Sequence, residues 1–149
     1  MKKMVLVMAM GFALLMNSNT FAQIRKIPSE VTVAFHAKYP DAKNESWGDK
    51  ITAFEATFNL NGVDTKATFS PKGEWKFSER AIAQAELPQS VKDGFAKSKF
   101  GDWEVKSVSF LQSKEKPDQY RIFVDRATLN KKFLYFNTSG KLIRDAATL

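Results

Sequence analysis

One histidine and sixteen carboxylates are the side chains of this 149-residue chain best suited to acid–base or metal chemistry, and their spacing supports neither. His36 falls on a helical stretch, with Thr32 and Pro40 as its neighbours at helical spacing, and the chain has no cysteine to join it. Zinc requires three or four ligands, so His36 is not read as a metal site. A hydrolytic triad would need a marked nucleophile beside the histidine and an acid to orient it. The sequence has no Gly-x-Ser-x-Gly elbow, no phosphate-cradling glycine loop and no dinucleotide fingerprint. Glu45 with Asp49, or Asp41 with Glu45, could serve as acid and base, but both pairs border turns, where solvated charge is ordinary. The chain is therefore read as noncatalytic, with no metal and no cofactor.

Aromatic side chains are the other candidates, and the elements that position them come from a repeat. Ile27-Pro28-Ser29-Glu30-Val31 recurs as Leu87-Pro88-Gln89-Ser90-Val91, and Phe35 recurs as Phe95. Tyr39-Pro40-Asp41 falls on Phe100-Gly101-Asp102, and Phe54 to Phe58 falls on Tyr120 to Val124. Phe69-Ser70-Pro71-Lys72-Gly73-Glu74-Trp75 falls on Phe136-Asn137-Thr138-Ser139-Gly140-Lys141-Leu142. Repeat one covers about residues 27–80 and repeat two about 87–146.

Each copy is predicted to open with a helix. Pro28 and Pro88 suit a first helical turn, where the missing N–H costs nothing. Val31, Ala34 and Phe35, like Val91, Gly94 and Phe95, keep helical spacing. Pro40 stops the first helix and Gly101 the second. Strands follow over 43–48, 51–60, 63–70 and 74–80, then over 103–111, 119–127, 131–137 and 141–146. Asn61-Gly62 is a strong hairpin signal, and Gly48, Gly73 and Gly140 are also placed in turns. The expected fold is α+β: two tandem αββββ units forming one curved antiparallel sheet, with both helices packed on one face.

Alternation assigns the faces. Phe54, Ala56, Phe58, Ala67 and Phe69 share the side that receives the first helix, leaving Glu55, Thr57, Asn59, Asp64, Lys66 and Thr68 on a wet side. In the second copy Tyr120, Ile122, Val124, Leu134 and Phe136 take the core positions. The opposite positions then hold Phe123, Phe133 and Tyr135, where the first copy has Thr57, Lys66 and Thr68. An apolar patch on a sheet face marks a contact surface, and Tyr and Phe suit interface cores. The competing reading packs these rings under the 113–117 loop, against the chain terminus or into a strand twist. Trp47, Trp75 and Trp103 are read as core.

The N-terminus has a secretory pattern: Lys2 and Lys3, an apolar run from Met4 to Met16, then Thr20-Phe21-Ala22. The run is shorter than the about 20 residues of a membrane-spanning helix. Cleavage is expected after Ala22, leaving residues 23–149 as one soluble domain, periplasmic or secreted, with no membrane span. Stability without disulfides must come from packing, for which the chain has 13 Phe residues. The formal charge is +7, but the cations are scattered, as on a solvated sheet face, and not clustered as a nucleic-acid footprint would be.

The doubled Pro-x-x-Val-x-x-x-Phe, followed by Tyr39-Pro40-Asp41 and by Phe-x-x-x-Gly-x-Trp or -Leu, resembles the PepSY-like family related to beta-lactamase inhibitory protein. The likeness runs from Ile27 to Asp145. It implies an exported binding module that presses the concave face of its sheet, away from the helices, against a protein partner. The inhibitory protein is disulfide-stapled and this chain is not. The functional expectation is a protein-binding or inhibitory module using Phe123, Phe133 and Tyr135, with another extracytoplasmic protein as partner. The alternative is an accessory or structural envelope protein that binds an anionic envelope polymer or modulates a protease.

Overall fold

The computed structural model describes residues 25–127 and 130–148; the secretory leader read over residues 1–22 lies outside the described residues. Among these, helix α1 (Ser29–Lys38) is followed by β1 (Lys43–Asp49), β2 (Phe54–Leu60), β3 (Val63–Phe69) and β4 (Trp75–Ile82). A short 3-10 turn at Gln84–Glu86 leads into α2 (Gln89–Lys97), then β5 (Glu104–Ser113), β6 (Gln119–Asp125), β7 (Lys131–Asn137) and β8 (Leu142–Ala147). The strands form one 8-stranded sheet in chain order, antiparallel at every junction. The fold is α+β with a curved antiparallel sheet.

The helix ends correct two sequence expectations. Pro28 and Pro88 precede the first helical turn: both are extended, with ψ 146°. The Pro28 carbonyl accepts from the Val31 N–H and that of Pro88 from the Val91 N–H, at 3.1 and 3.0 Å. Each proline therefore sets the entry angle from the N-cap position. α1 ends before Pro40 as expected, but α2 ends at Ser98, not at Gly101. The Ser98 hydroxyl donates to the Phe95 carbonyl at 2.7 Å and accepts from the Phe100 N–H at 3.2 Å, which closes the helix without a glycine. Gly101 answers a different need, since a Cβ there would lie 2.4 Å from the Ala96 carbonyl oxygen.

Asn61 and Gly62 both have positive φ, 53° and 84°, as a tight primed hairpin turn requires. Gly48, expected in a turn, lies inside β1 opposite Glu55. The turn after it places Ile51, a β-branched residue, at φ 68° with 85% of its surface exposed. The left-handed conformation costs a β-branched residue about 1–2 kcal/mol, and Ile51 recovers little by burial. Ile51→Asn should therefore raise unfolding stability by about 1 kcal/mol, read as a higher denaturant midpoint at unchanged slope.

Two apolar clusters form the core. Val31 and Phe35 of α1 pack with Phe54, Ala56, Phe58, Ala67 and Phe69, edged by Trp47 and Trp75. Leu87 and Val91 pack with Phe100, Val108, Ile122, Val124, Leu134 and Phe136, edged by Phe95, Trp103 and Tyr120. Directly opposed residues of neighbouring strands share a face. Ala67 opposes Ser78; Ile82, four residues on in β4, opposes Val108, which opposes Ile122. The sheet residues of the two clusters thus lie on a common face. Burying each Phe completely contributes about 1.5–3 kcal/mol of transfer free energy.

Candidate functional site

The three aromatics singled out in the sequence occupy the other face, because each alternates with a core residue. Phe123 opposes Phe133 across the β6–β7 ladder, and their rings lie 5.0 Å apart at a 35° tilt. Tyr135, two residues along β7, opposes Arg121 on one side and Arg144 on the other. All three rings are half-buried.

Two arginines that the sequence reading passed over complete the surface. The Arg121 guanidinium lies 4.6 Å from the centre of the Phe133 ring, and that of Arg144 lies 3.9 Å from the centre of Tyr135. Arg121 also pairs with Glu79 of β4, and the same Glu79 oxygen accepts from the Ser109 hydroxyl at 2.8 Å. Glu79 opposes Leu111, so this network bridges the β4–β5 seam between the two halves of the chain. Beside it lies an open hollow of about 450 Å³, whose lining includes Phe77, Glu79, Leu111, Lys116, Tyr135 and Arg144. The 113–117 loop therefore borders Tyr135 and leaves it half-exposed.

The counterpart face of the first half is less wet than alternation predicted. Lys66 is exposed, but Thr68, opposite Phe77, is 6% exposed with its hydroxyl unpaired among the described residues. The tryptophans edge the core clusters: Trp47 stands edge-on to Phe35 at 5.2 Å, and Trp103 to Phe100 at 5.2 Å.

Two of the carboxylates considered for acid–base work, Glu45 and Asp49, are engaged elsewhere. Glu45 lies 3.7 Å from His36 Nε2. Asp49 receives the Arg25 guanidinium at 2.5 and 2.6 Å and the Ile51 N–H at 2.9 Å. Hydrogen bonding from Arg25 is the main cause that lowers the Asp49 carboxyl to about 2; a group so acidic is a poor proton carrier near neutrality. A depressed folded-state pKa stabilises the fold above the ordinary carboxylate range and is lost as pH falls through the folded value. An NMR titration should give Asp49 a midpoint near 2, and Arg25→Gln should return it toward the ordinary range. Among the described residues, no group of three or more metal-ligating side chains converges.

A model of the family described as "Putative beta-lactamase-inhibitor-like, PepSY-like" matches residues 52–144. The chain belongs to the PepSY-like family. Solved structures share the fold. A Bacteroides eggerthii protein described as "putative periplasmic" is 28% identical, with TM-score 0.77 over 82% of this chain and 89% of that one. A DUF2874 family protein of Bacteroides uniformis is 26% identical, with TM-score 0.77 over 80% and 88%. A BLIP-like protein of Bacteroides fragilis is 22% identical, with TM-score 0.76 over 83% and 87%, a likeness of fold alone. No curated protein matches the chain. No helix among the described residues is long and apolar enough to cross a membrane.

Proposed function

We propose that this PepSY-like chain is a noncatalytic, inhibitor-like binding module that engages another extracytoplasmic protein through the sheet face bearing Phe123, Phe133 and Tyr135. In this reading residues 1–22 are a secretory leader cleaved after Ala22, and residues 23–149 form one domain in the periplasm or outside the cell. The domain is a tandem pair of αββββ units, about 27–80 and 87–146, with both helices on the face of the two core clusters and the opposite face left to bind.

The observation that carries the proposal is an asymmetry between the halves. Where the first half has Thr57, Lys66 and Thr68, the second has a ring pair and a tyrosine with arginines stacked on them. Stacked arginine and aromatic side chains are typical anchors of protein interfaces, because they offer area and donors at low entropic cost. The family description and the inhibitor-like fold point to the same mode of action.

Changing Phe123, Phe133 and Tyr135 together to Ser should remove capture of a partner from envelope extract while the protein remains folded by circular dichroism. Tyr135→Ser alone, at the ring that lines the hollow, should weaken capture with little change in melting temperature. Undiminished capture by both folded variants would end the proposal.

A further inference from the structure

Within the face proposed to bind, the hollow between β4 and β8 carries more specific chemistry. Its volume, about 450 Å³, lies within the range of sites that hold a ligand group. Its charges are not equivalent. Arg121 is paired with Glu79 and Lys76 with Glu74. Arg144 and Lys116 make no ion pair among the described residues. The Arg144 guanidinium carbon lies 3.9 Å from the centre of the Tyr135 ring, and the residue is exposed, so its N–H donors are open to a ligand. A planar fork of this kind matches a carboxylate in bidentate fashion. Next to it, Tyr135, Phe77 and Leu111 supply an apolar wall.

We propose, resting on the binding face above, that this hollow receives an acidic side chain of the partner protein, with Arg144 taking the carboxylate and Tyr135, Phe77 and Leu111 an apolar residue beside it. Glu79 and Glu115 line the same hollow, and Glu79 already holds Arg121, so the positive charge left over is confined to Arg144 and Lys116 beside an acid, which suits one carboxylate flanked by apolar groups better than a run of anions. That contrast favours an acidic–aromatic peptide segment over an anionic polymer.

The test uses three probes on the intact domain, followed through the NMR signals of Leu111 and Tyr135: the capped tetrapeptide Gly-Phe-Asp-Gly, its Gly-Phe-Asn-Gly counterpart, and dextran sulfate. The aspartyl peptide should bind at least about tenfold more tightly than the asparaginyl one, as a charge-assisted hydrogen-bond pair implies. Arg144→Gln should erase that preference, and Arg144→Lys should keep part of it, since charge survives while the stacked fork is lost. Equal binding of the two peptides, no shift by either, or a preference that survives Arg144→Gln would overturn the inference. So would dextran sulfate as the only binder. The binding face would stand through each of those results if Arg144→Gln still captured partner from extract, and would fall separately if capture ignored both Tyr135→Ser and the triple Ser variant.

Discussion

Gly94→Ala should destabilise the domain by about 1–3 kcal/mol, the usual penalty of overpacking, although the same exchange in an ordinary helix gains about 1 kcal/mol. The reason is a close approach of two backbones. A Cβ on Gly94 would lie 1.8 Å from the Gly140 carbonyl oxygen, and one on Gly140 would lie 1.9 Å from the Ser90 carbonyl oxygen. The turn between β7 and β8 is thus pressed against α2, and Ser90 fastens it by donating its hydroxyl to the Thr138 carbonyl at 3.0 Å. Neither neighbour is a flexible side-chain end, so the turn must lift or the helix must move. Gly140 also sits at φ 83°, so Gly140→Ala should cost more than Gly94→Ala by roughly the 1–2 kcal/mol of a left-handed residue. The double variant should lose less than the sum of the two, because once the turn has lifted the second methyl meets less. Urea unfolding reads all three, and a Gly94→Ala variant as stable as the parent would show that the contact yields freely.

Phe35→Ala should cost about 3–5 kcal/mol, the range for removing a buried aromatic ring. Phe35 is 0% exposed and is the hub of the first core cluster. Its ring stands edge-on to Phe58 at 4.9 Å, to Trp47 at 5.2 Å and to Phe69 at 6.2 Å, and tilted to Tyr39 at 5.7 Å. Deleting it leaves a cavity lined by rings attached to three different strands, which cannot collapse together. Stability for a domain of this class is about 5–15 kcal/mol, so the variant should melt far below the parent. A loss under about 1 kcal/mol would mean that the site refills. Phe95, which follows Phe35 in the repeated motif, is only half-buried, and its removal should cost distinctly less.

Much of this fold was legible because strand alternation is a local property. Ile122, Val124, Leu134 and Phe136 were assigned to the core by every-other-residue spacing, and all four are buried. The predicted seventh strand coincides with β7, and the Asn61-Gly62 turn has the φ values its residues demand. The helix ends were less legible, since a serine hydroxyl closes α2 where a glycine was expected. Gly94 gave no warning in sequence, because its need for a missing side chain comes from a turn far along the chain.

The candidate site divides the same way. Alternation placed Phe123, Phe133 and Tyr135 away from the core. It could not bring in Glu79, Arg121 and Arg144, since single charges on strands look like an ordinary solvated face. Their association depends on register, with Arg121 opposite Tyr135 and Tyr135 opposite Arg144, and on the pairing of β4 with β5 across an intervening helix. The departure of the second half from the first, three aromatics for three polar residues, was the signal available in sequence.

A photo-crosslinking residue at position 135, set against the same residue at Val33, which is 68% exposed on α1, tests the binding face most directly. Irradiation in envelope extract should attach a partner at position 135 and none at position 33. Adducts at the helix position alone, or at both positions alike, would contradict the account.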